Sequence, residues 1–120
     1  MMKVAINVEF GGFGLSDEAF EMLLDRKGIA WEKQLCRGHV YNYFEAGHLD
    51  EFDHFLSDYN FCNYDARTDP DLIAIIEALG ERSWGQYAEL KIIDVPEDVK
   101  WHIVDYDGRE HIAEDHDTWY

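Results

Sequence analysis

The residues best placed to do chemistry are Gly11-Gly12-Phe13-Gly14-Leu15-Ser16-Asp17-Glu18, which join an apolar strand pattern to an acidic helix start. A strand that breaks at glycines and re-enters as a capped helix can aim several free backbone N–H groups at one point. Those groups and the Ser16 hydroxyl could hold a phosphate or carboxylate while Phe10 or Phe13 stacks on a ring. Against this, Asp17 and Glu18 stand where an anion would bind. The same residues also read as a tight strand-to-helix turn with Phe13 in the core. No Gly-Lys-Ser/Thr follows, so this is not a Walker motif, and the G-x-G-x-x-G dinucleotide spacing is absent. A base-stacking site needs a cation for its phosphates; Arg82 is close in sequence, and Arg67 and Arg109 are the other candidates. Trp84 lies beside Gly85 in a loop setting where large aromatics pack on a partner or a planar ligand. The candidate ligand-binding residues are therefore Phe10, Gly11, Gly12, Phe13, Ser16, Arg82, Trp84 and Arg109.

Two other constellations offer less. His102, His111 and His116 share the C-terminal region with Glu114, Asp115 and Asp117. A divalent metal could use such groups, but no H-x-x-x-H or H-E-x-x-H arrangement is present, and an acidic exposed tail is the simpler reading. Cys36 near His39 suggests an activated thiol on one short spacing alone. Gly-x-Ser-x-Gly is missing, so no nucleophile elbow is available. The chain reads as a non-enzyme with no cofactor and no metal.

The elements that must position these residues follow from periodicity. Lys3–Phe10 alternates, with Val4 and Ile6 against Lys3, Ala5 and Asn7, as suits a half-buried strand. Ser16 is a good N-cap for a helix Asp17–Lys27 that Gly28 stops, with Phe20, Leu23 and Leu24 facing inward. Residues 29–44 are ambiguous, with strand-like stretches around Ala30–Trp31 and His39–Phe44. Leu49, Phe52, Leu56 and Tyr59 recur at helical spacing and predict a short amphipathic helix Asp50–Tyr59, followed by an irregular run to Tyr64. Asp69-Pro70-Asp71 starts a helix with Leu72, Ile75, Ile76 and Leu79 buried and Gly80 at its end. Tyr87–Val95 alternates as a strand that Pro96 breaks. Trp101–Tyr106, Asp107-Gly108 and Arg109–Ala113 form a hairpin signal, with His102 and His111 diagonal on one face. This order predicts one α+β domain over residues 1–120, with a mainly antiparallel sheet, two to three helices on one face and a C-terminal β-hairpin. Unpaired strand edges favour homo-oligomerisation by sheet extension.

Charge and length bound the function. The 120 residues are 47% hydrophobic and 15% aromatic, enough for one core, and no apolar run could span a bilayer. No signal peptide is recognisable, and two cysteines, Cys36 and Cys62, read as free buried thiols in a reducing cytoplasm. A net charge of −16, from 26 acids and 10 bases, opposes direct binding to nucleic acid or anionic membrane. The acids concentrate in residues 45–71, where Arg67 is the only base, and in residues 94–117. They form a solvated surface or a face for a basic protein.

The opening Ile6-Asn7 with Gly11 through Ala19 resembles a widespread, uncharacterised family of small phage and prophage proteins. Arg67, Asp69-Pro70-Asp71-Leu72, Glu77-Ala78-Leu79-Gly80, Ala88-Glu89-Leu90-Lys91 and Val95-Pro96-Glu97-Asp98-Val99 look similar too, as does Tyr106 to His111 through Thr118-Trp119. These blocks cover both ends and leave about residues 29–64 as a variable middle. The pattern is similar in turn to phage anti-defence sponges of the Thoeris type, oligomers that sequester cyclic ADP-ribose-like signals without cleaving them. The resemblance implies a pocket built from the glycine loop, stacking aromatics and one or two arginines. It implies a protein of the host cytoplasm that withholds a nucleotide-derived immune signal. The alternative is an acidic inhibitor that covers a basic surface of a host defence protein.

Overall fold

The structure, a computed structural model, describes residues 2–36, 38 and 40–115, with Tyr59 described by its backbone. It is an α+β fold whose strands pair antiparallel throughout. In chain order the described elements are β1 (Met2–Asn7), α1 (Asp17–Arg26), β2 (Trp31–Leu35), β3 (Tyr41–Glu45), β4 (Phe55–Leu56), α2 (Asp58–Cys62), α3 (Pro70–Leu79), β5 (Leu90–Val95), β6 (Trp101–Tyr106) and β7 (Arg109–Glu114). The strands fall into three ladders: β1 with β5, β2-β3-β4, and the β6-β7 hairpin.

These ladders and helices stack in layers. Ala5, Leu90 and Ile92 on one face of β1-β5 pack with Ala19 and Leu23 of α1 and with Leu72, Ile73, Ile75 and Ile76 of α3. Val4, Ile6, Ile93 and Val95 on the opposite face pack with Trp101, Ile103 and Ile112 of the hairpin. β1 is thus buried on both faces, where its alternation predicted one. The hairpin covers a second apolar surface whose partner is set by tertiary contact. The far side of α1, through Phe20 and Leu24, meets Tyr41, Tyr43, Trp31 and Leu56 of the β2-β3-β4 ladder.

The helix ends follow their capping residues. Ser16 accepts the Ala19 N–H at 3.2 Å, and Asp17 and Glu18 complement the dipole in the first turn. Asp69 accepts from the Asp71 N–H and Pro70 sits at the first helical position of α3. The hairpin turns at Asp107 (φ 50°) and Gly108 (φ 88°), with Tyr106 opposite Arg109, the two-residue geometry that the Asp-Gly pair predicts.

The middle segment differs from its sequence reading. No helix runs from Asp50 to Tyr59. Instead Phe52–His54 is a 3₁₀ turn, Phe55 and Leu56 pair with Phe44 and Tyr43, and the helix begins later, at Asp58. Helical spacing lost because backbone pairing to β3 satisfies Phe55 and Leu56, while Phe52 is left 81% exposed. Cys62 is buried as expected, but Cys36 is exposed, because it lies just past the end of edge strand β2. No helix among the described residues is long and apolar enough to cross a membrane.

Candidate functional site

The glycine loop is a seam between two parts of the chain. A Cβ on Gly108, at the hairpin tip, would lie 2.2 Å from the Gly12 nitrogen, so the tip rests directly on the loop backbone. A Cβ on Gly85 would lie 2.9 Å from the Gly14 carbonyl, and the Gly85 N–H donates to that oxygen at 2.9 Å. Several of the loop's hydrogen-bonding groups are engaged. The Gly11 N–H donates to the Asp107 carbonyl, the Ser16 N–H to the Ser83 carbonyl and the Phe10 N–H to the Glu9 carboxylate. The Ser16 hydroxyl caps α1 and donates to the Arg82 carbonyl at 2.5 Å. Arg82 itself forks onto Glu18 at 3.1 and 2.6 Å, and that guanidinium holds the Glu18 carboxyl below the usual range. Trp84 is half-buried against the α1–α3 core, and its backbone bridges to Leu15.

Phe10 and Phe13 leave the seam into two different clefts. The first encloses about 380 Å³ and is lined by Phe13, Cys62, Tyr64, Arg67 and Glu110, with Asp58, Asn63 and Asp105 around them. Its floor is a buried ion pair: Arg67 donates to Glu110 at 2.5 and 2.9 Å, and both side chains are at most 4% exposed. Arg67 also donates to the Cys62 carbonyl at 2.6 Å and the Ala5 carbonyl at 3.3 Å, and its guanidinium carbon lies 3.8 Å from the centroid of the Phe13 ring. Glu110 takes the Asn7 N–H as well. The Asn7 side chain donates to the Glu9 and Gly108 carbonyls and accepts from the Glu9 and Glu89 N–H groups, tying β1, β5 and the hairpin together. The Tyr64 hydroxyl donates to Asp105 at 3.0 Å, a bond that raises the Tyr64 pKa. Burial pushes the Cys62 thiol up to about 12. A burial of charge this complete is tolerable only with such pairing.

The second cleft, of about 360 Å³, is lined by Ile6, Val8, Phe10, Tyr106, Arg109, Glu110 and His111. Phe10 and Tyr106 are 50% and 71% exposed. The Arg109 guanidinium lies 5.9 Å from the centroid of the Phe10 ring. Arg26, Arg67 and Arg82 each have a carboxylate partner, which leaves Arg109 as the one arginine among the described residues without one.

The structure therefore brings Phe10 and Arg109 together, puts Phe13 with Arg67, and directs Ser16, Arg82 and Trp84 to neither cleft. Gly11 and Gly12 support both as backbone. Glu110, Asn7, Tyr64 and Tyr106 were missed. The solitary base of the 45–71 acidic run was the available signal for the first cleft, since an arginine surrounded by acids finds one of them. In the hairpin, His102 bonds Asp115, and the register sets His111 diagonally from His102 as expected. His39, His116, Asp117, Thr118 and Trp119 lie outside the described residues. Comparison with protein-family models, curated proteins and solved structures returned no match.

Proposed function

We propose that this chain is a phage-encoded, non-enzymatic anti-defence protein that binds and sequesters a nucleotide-derived immune signal in the Phe10–Arg109 cleft. The observation that carries this reading is an arginine without a carboxylate partner among the described residues, beside two exposed aromatic rings in a concave site. Phe10 and Tyr106 offer faces to a base, a contact worth about 1–3 kcal/mol per base. The Arg109 fork suits two phosphate oxygens, and His111 can add a donor. Ile6 and Val8 supply an apolar wall against which a base can pack. Sequestration needs only stoichiometric binding, so no nucleophile is required of the site. The protein acts in the host cytoplasm, as a homo-oligomer joined through free strand edges such as that of β2.

The test is native mass spectrometry of the purified chain with cyclic ADP-ribose isomers and cyclic di- and trinucleotides. The expected result is a symmetric oligomer that gains one ligand mass per subunit or interface, releases the ligand intact, and loses it in Arg109→Ala and Phe10→Ala. No ligand mass across the panel overturns the reading.

A second reading rests on the first cleft, whose lining carries Asp58, Asp105 and Glu110 against Arg67 alone, on a chain of net charge −16. It makes the protein an acidic inhibitor of a basic host defence protein. Its affinity would fall steeply with salt and survive Phe10→Ala.

A further inference from the structure

We propose that the Glu45–His54 segment forms a binding site for a divalent transition-metal ion of the zinc class, with His48, Glu51 and His54 as ligands and Glu45 behind them. The sequence here runs Glu-x-x-His-x-x-Glu-x-x-His, four donors at a spacing of three. The backbone follows the same period. The His48 N–H donates to the Glu45 carbonyl at 3.0 Å, the Glu51 N–H to His48 at 3.0 Å and the His54 N–H to Glu51 at 2.9 Å. These successive tight turns, the first with Gly47 at φ 86°, fold the segment back on itself and gather His48, Glu51 and His54. Asp50, at φ 66°, bends the run between His48 and Glu51. The outcome is convergence: the two imidazoles stack with centroids 3.7 Å apart, and donor atoms of His48, Glu51 and His54 all lie within 4.8 Å of one another.

Two imidazoles and a carboxylate are a donor set suited to zinc and its neighbours rather than to magnesium or calcium, which prefer oxygen alone. Tetrahedral zinc, with bonds of about 2.0–2.1 Å, spaces its ligands roughly 3.4 Å apart, so small shifts of these side chains, including the opening of the 2.5 Å contact between Nδ1 of His48 and Glu51, complete three corners. The fourth corner is left for water or a further ligand. One ring must turn to bind, because a metal lies in the plane of each imidazole and the rings are only 14° from parallel. Their side chains are 42% and 37% exposed, so the rotation meets solvent rather than core. Glu45 lies 3.5 Å from Nδ1 of His54, where it can orient that ring and leave Nε2 to the ion. A bound ion would pin the end of β3 to the turn that leads into β4, across the segment least governed by local propensity.

Isothermal titration of the full chain, stripped with EDTA and dialysed, tests this with zinc chloride and, as control, magnesium chloride. One zinc per chain is expected, with unstacking of the two histidines in imidazole ¹⁵N NMR spectra and no magnesium binding. His48→Gln and His54→Gln each weaken zinc by about tenfold or more, and Glu45→Gln by about tenfold. Glu45 is exposed and the two histidines are half-buried, and far-ultraviolet circular dichroism of each variant checks that it folds. Absence of saturable zinc binding overturns the proposal. So does zinc binding unchanged in both histidine variants, which would assign the ion to another group such as His102 with Asp115, and so does magnesium binding of equal strength.

Discussion

Phe10 and Phe13 stand on opposite sides of Gly11 and Gly12, and each shares a cleft with an arginine in very different circumstances. Arg67 is buried, forked onto Glu110 and bonded to two carbonyls, so its charge is spent on holding α2, β1 and the hairpin in place. Arg109 is exposed, has no carboxylate partner among the described residues, and lies near a ring that is itself half in water. Arginine beside phenylalanine is the same chemistry in both. Burial and pairing decide whether that chemistry serves the fold or remains available to a ligand. The contrast gives the two clefts opposite signatures in mutation.

The largest effect is expected at Glu110. Glu110→Ala leaves Arg67 buried without its carboxylate and the Asn7 N–H without its acceptor, at a cost of about 3–5 kcal/mol in urea unfolding. Unchanged stability would break the comparison, because the first cleft would then be as unencumbered as the second. Gly108→Ala is next. Its Cβ would meet the Gly12 backbone at a positive φ, so a loss of at least about 2 kcal/mol is expected in the same assay, with weaker ligand binding as the seam shifts. Arg109→Ala and Phe10→Ala should change stability by no more than about 0.5 kcal/mol. Their ligand affinity should fall by about tenfold or more, and a large loss of stability instead would make Arg109 a structural group like Arg67.

The smallest effect concerns the thiols. At pH 8 a thiol reagent should modify Cys36 in the native protein and spare Cys62, whose thiol is buried and raised to about 12. Because that pKa lies above its unfolded value, the associated stability is fully present below the ordinary thiol range. It is lost as pH rises toward 12. Rapid modification of both thiols at pH 8 would show that the wall of the first cleft opens readily.

Legibility varied along the chain for physical reasons. α1, α3 and the β6-β7 hairpin were visible because Ser16, Asp69-Pro70 and Asp107-Gly108 each satisfy or pre-shape the backbone beside them. The Asp50–Tyr59 helix was not formed because Phe55 and Leu56 gain a strand partner in Phe44 and Tyr43, more than ten residues upstream. Within the candidate site, Phe10 and Arg109 were nameable as types of residue, but their meeting depends on the hairpin returning beside β1. Tyr106 and Glu110 were overlooked for the same reason, since nothing near them in sequence marks them as facing Phe10 or Arg67.

By itself the sequence determined the α+β class, the capped helices, the hairpin turn and the strongly acidic charge. Each depends on residues within a few positions of one another, or on a sum over the chain. Tertiary structure alone decided that both faces of β1 are buried, that the glycine loop is a seam, and which arginine is held and which is left over. Those outcomes rest on contacts between residues such as Arg67 and Glu110 or Gly12 and Gly108, whose pairing is set by how the layers stack. A side chain's charge is written in the sequence; whether that charge is already neutralised is a property of the packed fold.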